Sequence, residues 1–221
     1  MKVGLLFGTF DPIHNGHLAI VENAISTNLL DQVWFVVTPQ SPFKKNSIIA
    51  SRHHRFKMVE LAIQSFSKFF ASKIEFQLEY PNYTFNTLSF LNSQFGEKHE
   101  FSIIVGLDNY ISLIKGEWYK SAYLLKNYRF FIYQRSTTKF LNDEICFVQF
   151  AQKNRHIILD GLDVEISSSQ IRELFSCKNN LFQSLKNEIT NHSKNVQKLH
   201  HLLPQIVIQY IENNDLYLGL K

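Results

Sequence analysis

His14 and His17 stand three residues apart around Gly16, directly after the turn Gly8-Thr9-Phe10-Asp11-Pro12. On a helix that spacing turns both imidazoles to one side, where imidazolium can hold a polyphosphate. Two other readings compete: half of a zinc site, or an exposed pair. Zinc is the weaker, because no third ligand follows at motif spacing and the chain has two cysteines only, Cys146 and Cys177. Gly8 has no side chain, so a ligand can approach the backbone there. Lys44 and Lys45 follow Pro42-Phe43 and can reach phosphate, or form a solvated charge pair. Gly106 and Asp108 suit a ribose, the glycine by letting a nucleoside approach and the carboxylate by accepting from hydroxyls. Asp108 can equally cap a helix. Trp118 offers a stacking platform or plain core, and Arg135 a bidentate anion contact. Ser167 and Gln170 form a capping box, so a helix starts there with free backbone N–H groups, and Ser168, Ser169 and Arg172 add donors on the same turn. An unliganded structural cap is the alternative.

These residues need elements to place them. Val3 to Phe7 has the length and branching of a buried strand, and the first helix runs from about Gly16 to Thr27. Gln32 to Thr38 is a second strand, which makes a parallel βαβ unit. A helix over Ala50 to Phe66 begins with Arg52, His53, His54 and Arg55, cations that oppose the macrodipole. An anion facing Arg55 would explain them; a surface arginine is as good a reading. Lys73 to Glu79 alternates as a strand does, and Thr84 is the candidate N-cap of a helix through Phe95. Phe101 to Val105 and Arg129 to Tyr133 are further strands, with short pieces at His156 to Leu159 and Val164 to Ile166. Most candidates follow a strand's carboxyl end, where open α/β sheets bind ligands. The fold class is α/β, a Rossmann-like doubly wound parallel sheet with a C-terminal helical part.

Composition bounds the rest. With 221 residues, 45% hydrophobic and 19% charged, the chain reads as one domain over residues 1–221. Residues 176–200 form a polar insertion facing solvent or an oligomer partner, and 201–221 hold a C-terminal helix. No apolar run nears the ~18–20 residues of a membrane span and no cleavable leader stands before the first strand. The expectation is a cytoplasmic protein with reduced thiols. A net charge of +4, spread along the chain, fits an anionic small molecule and not a nucleic-acid footprint.

Taken as one block, Gly8-Thr9-Phe10-Asp11-Pro12-Ile13-His14-Asn15-Gly16-His17 resembles the nucleotidylyltransferase signature G-[TS]-F-[DN]-P-x-H-x-G-H. Further stretches are similar to the bacterial nicotinate-nucleotide adenylyltransferases and run in that family's order. They are Pro42 to Lys45, Tyr83-Thr84-Phe85-Asn86-Thr87-Leu88, Gly106-Leu107-Asp108-Asn109 leading to Trp118-Tyr119-Lys120, Ile166 to Arg172, and Leu203-Pro204 through Leu216-Tyr217. Phe7, Asn86 and the long gap from Arg172 to Pro204 depart from the pattern. The resemblance implies ATP held by Gly8, Thr9, Phe10, Gly106, Asp108, Ser167, Ser168 and Ser169, and nicotinate mononucleotide by Lys44, Arg55, Thr84, Trp118, Tyr119 and Arg135. His14, His17, Lys45 and Arg172 would neutralise charge during transfer. Mg²⁺ would arrive through the ATP phosphates, with no metal ligands in the chain. Pyrophosphate would leave, and a homo-oligomer is open.

Overall fold

A computed structural model describes residues 1–40, 50–133, 142–159, 166–184 and 199–218. Lys44, Lys45 and Arg135 therefore lie outside the described residues, as do the strand piece at Val164 and most of the 185–200 stretch.

Six parallel strands form one sheet in the order β3-β2-β1-β4-β5-β6. They are β1 (Lys2–Gly8), β2 (Gln32–Val37), β3 (Phe69–Ser72), β4 (Glu100–Gly106), β5 (Arg129–Tyr133) and β6 (Ile157–Leu159). The chain winds outward from β1 to one edge, then returns to β4 and winds to the other. The switch point between β1 and β4 opens a crevice at their carboxyl ends.

Alternation along the strands builds two cores. Leu6 of β1 faces one apolar cluster, and Val3 and Leu5 face the other. Helices α1 (Asn15–Ser26) and α2 (Arg52–Ile63) cover the first face, together with α7 (Ser168–Ser184) and α8 (Gln205–Asn213). Helices α3 (Thr84–Phe95), α4 (Leu107–Ile114), α5 (Ser121–Asn127) and α6 (Asn142–Lys153) cover the second. At Gly4 a Cβ would come within 2.7 Å of Leu30 Cδ1, so β1 needs glycine there for the first layer to close. Among the described residues no helix is long and apolar enough to cross a membrane.

Two readings of the sequence change. The third strand is Phe69–Ser72, paired with Val33 to Val36, and the alternating run after it is a 3₁₀ turn at Ile74–Phe76. Ile74 packs against one core and Phe76 against the other, so the apolar spacing of a strand arises in the sequence from two residues that meet opposite cores. Helices α5 and α6 are not foreseen from the sequence, and α7 runs into the polar stretch as far as Ser184.

Candidate functional site

The carboxyl ends of β1, β2, β4 and β5 floor a cleft of about 950 Å³. Gly8 lines it from β1, Thr38 from the end of β2, Gly106 from β4 and Tyr133 from β5. The first turns of α1, α3 and α7 line it too, so their positive ends point at one space.

The first turn sets the histidines. Phe10 takes a left-handed backbone (φ 49°), buries its ring and packs it edge-on against His17, with centroids 5.0 Å apart. A non-glycine residue held there stores strain of about 1–3 kcal/mol, which the packing must offset. The same ring explains Gly8: a Cβ there would sit 2.9 Å from Phe10 Cε1. The glycine makes room for its neighbour's ring as much as for a ligand. His14 is the N-cap of α1 and His17 its third helical residue. The rings stack at 3.7 Å, and the His14 backbone N–H donates to His17 Nδ1 at 3.2 Å. A neutral His17 that accepts at Nδ1 carries its proton on Nε2, which assigns the tautomer from the hydrogen bond.

Asp11, which sequence reading takes only as part of a turn and motif, is the hub of the loop. Its carboxylate is buried; Oδ1 accepts from Tyr217 Oη at 2.8 Å and from the Ala50 amide at 3.2 Å. Arg172 Nη1 lies 3.9 Å from Oδ2 and donates to the Asp11 carbonyl at 2.7 Å, while Nη2 donates to Ser169 Oγ at 3.1 Å. Ser168 Oγ donates to the Pro12 carbonyl at 2.9 Å. The capping box forms as read: Gln170 N–H donates to Ser167 Oγ at 3.3 Å and Ser167 N–H to Gln170 Oε1 at 3.2 Å. The start of α7 is thereby latched onto the signature loop, its first-turn amides beside the cleft. Burial and the Asp11 charge push the Tyr217 hydroxyl well above its ordinary value. It stays a donor.

Arg55 departs from the sequence reading. Its side chain is 1% exposed and it does not line the cleft. Nε donates to the Ala50 carbonyl at 3.1 Å, Nη1 to the Thr9 and Thr38 carbonyls at 2.6 and 2.7 Å, and Nη2 to the Pro39 carbonyl at 2.7 Å. The cation at the helix start answers to backbone dipoles of two site loops, not to an anionic ligand. Burial lowers its proton affinity, and nearby Asp11 offsets part of that.

On the far side of β4, Gly106 is the N-cap of α4 and Asp108 lies in that helix's first turn, so Asp108 is not the cap. A Cβ on Gly106 would stand 2.6 Å from Asp108 Oδ1, so the glycine gives the carboxylate its place beside the strand end. Asp108 is exposed and its neighbour Asn109 lines the cleft. At α3 the N-cap is Tyr83 and not Thr84, with no side-chain cap bond, and both line the cleft. Trp118 and Tyr119 join them; Tyr119 packs on Tyr83 at 5.1 Å and Phe85 at 5.7 Å. Thr9 and Ser167 complete the foreseen lining residues. Glu75, Asn82 and Tyr133 line it unforeseen, because each lies in a segment whose sequence carries no motif of its own.

Phosphate chemistry in a cleft of this kind often uses a divalent metal. Among the described residues no group of three or more His, Cys, Asp or Glu is placed to hold one, and Asp11 is engaged by Tyr217, Ala50 and Arg172. Among the described residues these groups do not build a metal site.

The Cytidylyltransferase-like family profile matches residues 5–174. A protein of Flavobacterium psychrophilum named "Probable nicotinate-nucleotide adenylyltransferase" is 39% identical over 217 residues, 98% of this chain and 99% of its own length. One of Flavobacterium johnsoniae with the same name is 38% identical over the same spans. Among solved structures, a Plasmodium falciparum nicotinic acid mononucleotide adenylyltransferase complexed with NaAD superposes with a TM-score of 0.70 at 19% identity. That alignment covers 98% of this chain and 97% of the other, a likeness of fold. With the profile spanning most of the chain and relatives matching nearly all of it, the chain belongs to the nicotinate-nucleotide adenylyltransferases, enzymes that make nicotinate adenine dinucleotide from ATP and nicotinate mononucleotide.

Proposed function

We propose that this cleft carries out in-line transfer of the adenylyl group of ATP to the phosphate of nicotinate mononucleotide, releasing pyrophosphate. The observation that carries the reading is the latch between α7 and the signature loop, which sets the α7 amides and the His17 imidazole on one cleft. An acceptor phosphate oxygen attacks the α-phosphorus and the bond to the bridging oxygen of pyrophosphate breaks. The protein's task is to bring two anions together and to receive the charge that builds on the leaving group. His17, as an Nε2–H donor, bonds the reacting phosphoryl group, and His14 fixes that tautomer. The amides of Ser168 and Ser169, with Arg172, take the terminal phosphates. Gly8, Thr9, Phe10, Gly106, Asp108 and Ser167 frame the nucleotide, and Lys44 and Lys45 neutralise phosphate. ATP enters as its Mg²⁺ complex, in the cytoplasm.

The pyridine mononucleotide takes the other half, against Thr84, Trp118, Tyr119 and Arg135. The first turn of α3 has no side-chain cap, and its Thr84 and Phe85 amides suit the nicotinate carboxylate. The test is pyrophosphate release with MgATP and either nicotinate or nicotinamide mononucleotide at matched concentrations. A preference for the acid of about tenfold, ~1.4 kcal/mol, is expected. ATP binding without turnover on either acceptor would make the chain a nucleotide-binding module and sink the proposal.

A further inference from the structure

One buried carboxyl on the cleft wall has no part in the transfer described above. Glu75 lies in the 3₁₀ turn after β3 and is 2% exposed, yet it lines the cleft with Asn82, Tyr83 and Thr84. Thr87 Oγ1, on the first turns of α3, donates to Oε1 at 2.8 Å. Asn82 Nδ2 donates to the Glu75 carbonyl at 3.1 Å. Glu75 thus pins the start of α3 from beneath, side chain to side chain and backbone to side chain. Its second oxygen, Oε2, is buried with no partner of hydrogen-bond geometry among the described residues. A buried acceptor left so is costly, and a buried anion left so costs more.

The neighbours do not rescue an anion. The end of β2 offers the Thr38 hydroxyl and α3 offers that of Thr87. The basic side chains of α2 and of the residue before the turn go elsewhere: Arg52 over the Phe76 ring at 5.2 Å, the His53 ring edge-on to the same ring at 6.1 Å, and Lys73 over Phe56 at 5.8 Å. The other acid and basic side chains described on the cleft are Asp11, His14, His17 and Arg172, with the phenols of Tyr83, Tyr119 and Tyr133. Burial accordingly pushes the Glu75 carboxyl up to about 7, with the two hydroxyls opposing.

We propose that Glu75 is a specificity-determining residue of the acceptor half, acting through space from the cleft wall: in its neutral form it leaves the α3 amides free to draw in a carboxylate-bearing mononucleotide, and in its ionised form it repels that acceptor. The inference rests on the acceptor reading above. An uncharged amide feels no such repulsion, so the preference for acid over amide depends on the proton at Glu75. The substitution Glu75→Gln keeps the side chain's shape, still accepts from Thr87 and leaves the position neutral at every pH.

The experiment measures kcat/KM for nicotinate and nicotinamide mononucleotide with MgATP from about pH 6 to about pH 8.5, and takes their ratio. The two acceptors share the phosphate, and ATP is common, so titration of those groups and of His17 cancels. In the unaltered protein the acid preference falls by roughly tenfold or more across that range. In Glu75→Gln the ratio is flat. In Thr87→Val, which removes a hydroxyl favouring the ionised form, the inflection moves to higher pH. A flat ratio in the unaltered protein overturns the proposal, and needs no variant to fold. A sloping ratio unchanged in Glu75→Gln overturns it too, as does an equal loss on both acceptors. No turnover on either acceptor at any pH would instead strike the acceptor reading on which this rests.

Discussion

At His17 the chemistry reduces to one proton whose place is fixed by a backbone bond from His14. If Nε2–H donates to the phosphoryl oxygen in the transition state, His17→Ala costs ~2.7–4 kcal/mol, about 10²–10³ in kcat, as for an oxyanion donor. Pyrophosphate release under saturating ATP measures it, and a variant within about threefold of the parent removes His17 from the mechanism. Arg55 makes the opposite kind of prediction. Its four bonds to carbonyls from three segments call for a planar fork that lysine cannot reproduce. Arg55→Lys should therefore destabilise the fold by about 3 kcal/mol or more, seen in the denaturant midpoint. A change confined to KM for the mononucleotide would restore the ligand-facing role. The contrast shows what is legible at this scale. The histidines and glycines of residues 8–17 lie in one contiguous block and could be read as a unit. Arg55 and Asp11 show their charge in the sequence but not their partners, which come from 5 to 206 residues away.

Elements were legible wherever one periodicity had a single cause. Strands β1, β2, β4 and β5 are buried on both faces and read as apolar runs. The 3₁₀ turn at Ile74–Phe76 defeated the same rule, because two apolar residues two apart, which a strand would place on one face, here each meet a different core. That turn carries Glu75, so the misread element hid a cleft residue. At the other edge His156, between α6 and β6, accepts from the Phe130 N–H at 3.2 Å and ties this joint to β5. Burial, with the Arg129 charge, lowers its pKa to about 4. A depressed base stabilises the fold above its ordinary value, and that contribution is lost as pH falls from about 6.5 through 4. Glu75, raised to about 7, has the opposite sign: its contribution is present at low pH and lost as pH rises from about 4.5 through 7. The two slopes oppose each other over much the same window. Thermal unfolding of His156→Gln should show stability rising toward acid, and of Glu75→Gln stability falling toward acid. Parallel profiles in both variants would show that neither group governs the acid limb.

Over the whole molecule, the doubly wound order places every described cleft residue of the sheet at one edge, and this much followed from the strand and loop order alone. What did not follow is how the first loop is locked. The lock is Tyr217 on Asp11, a bond across 206 residues, with α2 joined to α8 by His54 Nδ1 and Tyr210 Oη at 2.9 Å. Tyr217→Phe removes a donor from a buried carboxylate and should cost about 1.5–3 kcal/mol of stability. It should also raise KM for ATP, because Asp11 holds Arg172; an unchanged KM beside a lowered melting temperature would confine Tyr217 to the fold. The same bond has a meaning for the growing polypeptide. At about 5–20 residues per second, a ribosome that has made Asp11 needs roughly 10–40 s more to make Tyr217. Through that interval the nascent chain can pair its first strands while the loop at Asp11 still awaits the hydroxyl that closes it.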